Sequence, residues 1–203
     1  MAQEPEPFVV ADARAWRAWL DEHEDEPTGV WLVLAKKGTT TPTTLTYDQA
    51  LDEALCSGWI DGQKRSHDAA TFLQRFTPRR PRSIWSVRNV GHIARLEAEG
   101  RMRARGRAEV LAAQADGRWD RAYAGSATIQ VPDDLRAALD ASPTAATTFA
   151  GLDSTNRYAV LHRIVTAPNE VTRARRLAKV VAMLTAGDVP HPSEATGNPG
   201  LPD

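Results

Sequence analysis

The chain has 203 residues, of which 42% are hydrophobic and 25% charged, with a formal net charge of -1 and one cysteine. That size and mixture suit one ordinary globular domain or two small ones, and they exclude wholesale disorder and a fibrous class. The single cysteine excludes an internal disulfide, and the longest apolar run, Val30 to Ala35, is far short of the roughly 18 residues a membrane-crossing helix needs.

The acidic, proline-bearing start MAQEPEP reads as a tail and lacks the basic and apolar regions of a signal peptide, so a cytoplasmic location is expected. Asp12 is placed to cap a helix in which Trp16, Trp19, Leu20 and His23 form one buried stripe, ended by the acidic run before Pro27. Within GVWLVLAKKG (29–38), residues 29–36 read as a strand apolar on both faces, which argues for a central position in a sheet. Thr46 with Gln49 forms a capping box for a second helix carrying Ala50, Leu51, Ala54 and Leu55, with Gly58 placed to close it. Residues 59–66 and 70–77 then read as a hairpin around a polar turn.

From Ser83 onward the signals are helical, with Asn89 as a possible second cap and Gly100 as a stop. Further helices are expected over 107–115, 133–140, 154–166 and 170–186. The last carries Val171, Ala174, Leu177, Ala178, Val181 and Leu184 on one stripe. The fold class is therefore α+β: a small antiparallel sheet with flanking helices in the N-terminal half and a helical C-terminal half. The organisation expected is a sheet region over 1–82, a helical region over 83–187 sharing one core, and a flexible tail over 188–203.

Charge is strongly segregated. Residues 1–62 sum to -8, residues 63–107 to +9 and residues 108–203 to -2. Within the cationic block, FTPRRPRSIWSVRN (76–89) places Arg79, Arg80 and Arg82 among prolines directly before a helix start with the hydroxyls of Ser83 and Ser86. Guanidinium forks and unpaired helix N–H groups together suit a carboxylate or phosphate. The other reading is that these arginines pair with Asp61, Asp52 or Glu53, and that the basic block lies against the acidic first third. Trp59 and Asp61 sit between Gly58 and Gly62, two glycines able to adopt positive φ, within reach of the arginine connection. Trp85 and Asn89 complete the set of candidate ligand-binding residues.

Asp61 is the one candidate for a catalytic proton-transfer group; a carboxylate that satisfies a turn or an arginine is the plainer account. Cys56 reads as inert packing in an apolar helix. The histidines are scattered, so no metal site is expected, and no phosphate-cradling glycine loop or dinucleotide fingerprint implies a cofactor. The run GRMRARGR could touch phosphates, but a pI near 6.5 argues against a dedicated nucleic-acid binder.

ALCSGWIDG, FTPRRPRSIWSVRNV, EGRM, ADGRWDRAY and TRARRLAKVVAML, in this order and spacing, resemble the YdeI/OmpD-associated family, also called bacteriocin-protection proteins. The resemblance covers roughly residues 8 to 187. It implies an N-terminal sheet region likened to the YjbR/frataxin-like superfamily, a helical C-terminal part, and a role in protection against bacteriocins or antimicrobial peptides, with no established reaction. Two functions follow as expectations. One is a cytoplasmic protection or stress-tolerance protein that binds a small anionic or peptide-like ligand through Trp59, Asp61, Arg79, Arg80 and the Ser83/Ser86 helix start. The other is a small enzyme whose anionic substrate is clamped by Arg79 and Arg80, with Asp61 moving a proton.

Overall fold

The computed structural model describes residues 6–24 and 26–192. Most of the two expected tails, residues 1–5 and 193–203, lies outside the described residues. In chain order the elements are α1 (Ala13–Glu22), β1 (Val30–Ala35), α2 (Tyr47–Cys56), β2 (Trp59–Ser66), β3 (Thr71–Pro78), α3 (Val87–Ala98), α4 (Ala104–Ala115), α5 (Asp133–Asp140), α6 (Pro143–Ala150), α7 (Ser154–Val165) and α8 (Glu170–Thr185). The fold is α+β, with a three-stranded antiparallel sheet among helices and an all-helical C-terminal part.

Contacts divide the chain into two units, Met1–Ala122 and Tyr123–Asp203. Each has its own apolar cluster, so residues 83–187 do not share one core. α3 and α4 pack on α2 within the same apolar cluster as the sheet, and the boundary expected at residue 82 marks where strand gives way to helix rather than the edge of a packed unit. No helix among the described residues is long and apolar enough to cross a membrane.

In the first unit local signals act as expected. The Asp12 carboxylate accepts from the Ala15 N–H at 2.9 Å and starts α1. Thr46 and Gln49 form the reciprocal capping box of α2. Gly58, at φ +75°, ends α2 and turns the chain into β2; Gly62 does not use a positive φ. It lies instead where the β2–β3 register shifts between Asp61 and Lys64. There the buried Gln74 side chain donates to the Gly62 and Gln63 carbonyl oxygens at 2.9 and 3.3 Å, satisfying groups the irregular ladder leaves over.

The strand order is β1-β3-β2, which corrects the central position expected for β1. β1 is apolar on both faces for other reasons. Leu32 and Leu34 enter the core, while Trp31 on the opposite face lies under the guanidinium groups of Arg65 and Arg75, 4.3 and 5.8 Å from its ring centre. The outer edge is met by Phe8, which donates to Trp31 O and accepts from Val33 N. An edge strand covered in this way loses the polar alternation that would have identified it.

The second unit packs α5 to α8 around Leu135, Leu139, Phe149, Leu161, Ile164 and Leu184. α6 was not expected from the sequence: PTAATTFA is short, and only Ala145 and Phe149 of it are buried. α8 has the expected extent, and Leu177, Val181 and Leu184 of the expected stripe pack into the core, but the stripe fails in the first turns. Val171 is 82% exposed, and the buried stripe is Leu177, Val180, Val181 and Leu184. In the first turns the inward positions are taken by Arg173, bidentate to Asp134 at 2.7 and 2.9 Å, and Arg176, which donates to Arg163 O at 2.8 Å.

Candidate functional site

The stretch from Pro78 to Asn89 leaves the sheet beside the start of β2. Trp59 pairs with Pro78, and the Arg79 N–H donates to Gly58 O at 2.9 Å, so the two segments singled out in the sequence meet through their backbones. The chain then makes a turn rather than a helix. Ser83 N–H donates to Arg80 O at 2.8 Å, and Arg80 N–H donates to Ser83 Oγ at 3.2 Å. The helix begins later than expected, with Ser86 as its cap: Ser86 Oγ accepts from the Asn89 N–H at 3.1 Å. Asn89 is thus a first-turn residue, itself buried, and not a second cap. Both serine hydroxyls are engaged in holding the backbone, because Pro81 interrupts the helical run and leaves Ser83 to close a turn.

The three arginines of the turn have different surroundings. Arg79 is only 6% exposed; its guanidinium lies 3.5 Å from the centre of the Trp85 ring and donates to Ile84 O at 3.3 Å. Arg80 and Arg82 are exposed, and neither forms an ion pair among the described residues. Two of the few exposed large apolar side chains, Ile84 at 44% and Val87 at 54%, are in the same segment. Arg118 donates to Ser83 O at 2.9 Å while holding Asp116 at 2.7 Å, and Trp119 lies against Trp85 with ring centres 4.9 Å apart. Arg118 and Trp119, the centre of ADGRWDRAY, carry no signal of a site in the sequence itself. Their place beside the arginine turn could not be read from it, because more than thirty residues separate the two.

Trp59 and Trp85 are core side chains. Trp59 meets Trp16 and Trp19 edge-on, with centroids 6.3 and 5.7 Å apart. Neither indole N–H of Trp59 and Trp85 finds an acceptor among the described residues. Asp61 shares the core-side face of β2 with Trp59, and its carboxylate accepts from the Tyr47 hydroxyl at 2.7 Å. Burial, reinforced by that bond and the Asp61 charge, pushes the Tyr47 phenol above its ordinary value, so the hydroxyl keeps its proton and remains the donor.

Part of the remaining cationic block lies against carboxylates of the acidic first third, as the charge segregation led us to expect. Asp52 and Glu53, both nearly buried on α2, receive Arg95 (2.6 Å to Asp52), Arg101 (2.7 Å to Glu53) and Arg103 (2.6 Å to Glu53). His92 reaches Asp52 at 3.0 Å, Arg103 also reaches Asp21, and Arg88 reaches Asp48 at 3.4 Å. Burial alone would raise the Asp52 carboxyl; the hydrogen bonds from Arg95 and His92, with the charges of Arg95 and Arg101, outweigh it and hold the group below its ordinary value. The partners of Asp52 and Glu53 are therefore later arginines than Arg79, Arg80 and Arg82. Cys56, at the end of the same helix, is fully buried, and desolvation followed by the Glu53 charge pushes its thiol up to about 11, which suits packing and not attack.

A family model described as Bacteriocin-protection, YdeI or OmpD-Associated matches residues 128–187, and a model described as Domain of unknown function (DUF8412) matches residues 8–109. The two matches fall one in each unit. No curated protein and no solved structure matches the chain.

Proposed function

We propose, for a chain that belongs to the bacteriocin-protection, YdeI or OmpD-associated family, that it protects by binding a small anionic, peptide-like ligand at the Arg80–Val87 surface. The observation that carries this reading is the contrast inside the cationic block. Arg88, Arg95, Arg101 and Arg103 pair with carboxylates, whereas Arg80 and Arg82 present cations beside exposed Ile84 and Val87. Charge next to apolar surface is complementary to a short acidic segment bearing an aliphatic side chain. The turn is held from behind by Arg79 on Trp85 and by Arg118 on Ser83 O, so little ordering entropy opposes binding. An enzyme with Asp61 as proton-transfer group is the lesser reading, because Tyr47 already occupies that carboxylate.

The test is a calorimetric titration of the protein and of its R80A/R82A variant with a blocked Glu-Leu-Glu peptide, at low and high salt. The double variant should bind about ten- to a hundredfold more weakly, since hydrogen bonds to charged groups contribute about 1.5–3 kcal/mol each, and its melting temperature should not move. In cells, the unmodified protein should raise survival under bacteriocin challenge and the variant should not. Equal peptide affinities, or the absence of saturable binding to the unmodified protein, would reject the site.

A further inference from the structure

A second site, independent of the arginine turn, lies wholly within the C-terminal unit. A cleft of about 350 Å³ opens between α7 and α8. Its apolar floor includes Val160 and Val180, both almost fully buried, with the partly buried Met183 packed against the same cluster. Arg163 and Lys179 also line it; both are exposed, and neither forms an ion pair among the described residues. Arg176 donates to the Arg163 carbonyl oxygen at 2.8 Å and brings a third positive charge to that turn of α7.

The remaining wall is the segment Val189–His191, which is held in place rather than merely adjacent. Asn156, 5% exposed, accepts from the His191 N–H at 2.8 Å and donates to the His191 carbonyl oxygen at 3.2 Å. Both of the segment's backbone groups at His191 are thereby engaged by one buried amide. A wall fixed in this way keeps the cleft open, because the segment cannot collapse onto Met183 without breaking two hydrogen bonds.

We propose that this cleft binds a small amphiphilic anion: an oxyanion headgroup held by Arg163 and Lys179, with a short linear apolar tail on Val160, Val180 and Met183. Its volume is at the small end of ligand cavities, roughly 300–1,000 Å³, which suits a short chain and is too small for a nucleotide or a folded peptide. Two cations on flexible stems match a singly charged headgroup. The thioether of Met183 adapts to tails of differing length.

Octanoate, octanol and acetate serve as probes of the full chain, followed by the methyl resonances of Val160 and Met183. Octanoate should shift both signals saturably. Octanol, lacking the charge, and acetate, lacking the tail, should each bind at least tenfold more weakly. R163Q/K179Q should weaken octanoate about ten- to a hundredfold without lowering the melting temperature, since both side chains are exposed. N156A should weaken it while leaving the headgroup contacts in place, and M183W, which fills the floor, should abolish the shift at Val160. R80A/R82A should bind octanoate as the unmodified protein does, which separates this site from the one proposed above. The proposal is overturned if octanoate gives no saturable shift, if octanol binds as tightly as octanoate, or if R163Q/K179Q retains full affinity.

Discussion

Arg79 and Arg80 are neighbours in the chain with opposite surroundings, and substituting each should have opposite consequences. Arg79 is buried over the Trp85 ring and bonded to Ile84 O. Its loss removes a desolvated cation–π contact and leaves a gap, so Arg79→Ala should cost about 2–4 kcal/mol in chemical denaturation. Arg80→Ala should change stability by less than about 0.5 kcal/mol. Asp52 gives a second residue-scale expectation. Its folded carboxyl titrates below the unfolded value, so its contribution to stability is fully present above the unfolded value near pH 4 and is lost as pH falls through the folded one. Asp52→Asn should therefore lose about 1–3 kcal/mol at pH 7 and show a shallower decline in acid. Paired urea titrations at pH 7 and pH 3 measure both effects; parallel acid profiles would show that Asp52 does not supply the dependence.

Among the elements, α4 shows how a glycine inside a helix serves packing. A Cβ on Gly106 would stand 2.2 Å from the Cys56 carbonyl oxygen and 2.9 Å from that of Leu55, so the helix can approach the end of α2 only without one. Gly106→Ala should destabilise by about 1–3 kcal/mol, although alanine brings roughly 1 kcal/mol of helix propensity. A thermal melt that rises instead would mean that α2 and α4 move apart at no cost. The caps at Asp12 and Thr46 were legible because each is a contact within four residues. The edge position of β1 and the exposure of Val171 in the first turn of α8 were not: both depend on which side chains arrive from elsewhere, Arg65 and Arg75 over Trp31, and Asp134 opposite Arg173.

At the scale of the molecule, the separate apolar clusters imply that the first unit carries what it needs to fold. A protein comprising residues 6–122 should retain dispersed amide resonances and slow exchange in β3, whose residues Phe76 and Gln74 lie in that core. A collapsed, poorly dispersed spectrum would show instead that the sheet needs the later helices. The sequence by itself determined the fold class, the positions of most helices and all three strands, and the attraction between the acidic first third and the basic middle. Periodicity, caps and net charge depend on neighbours in the chain or on sums over long stretches, and neither requires knowing who meets whom. Only the tertiary structure decided which arginines are neutralised. It assigned Asp52 and Glu53 to Arg95, Arg101 and Arg103, stacked Arg79 on Trp85, and left Arg80 and Arg82 exposed. The reason is physical: a guanidinium pairs with whatever carboxylate or ring the fold brings within about 4 Å, and across forty to fifty residues that distance is fixed by packing and not by spacing in the chain.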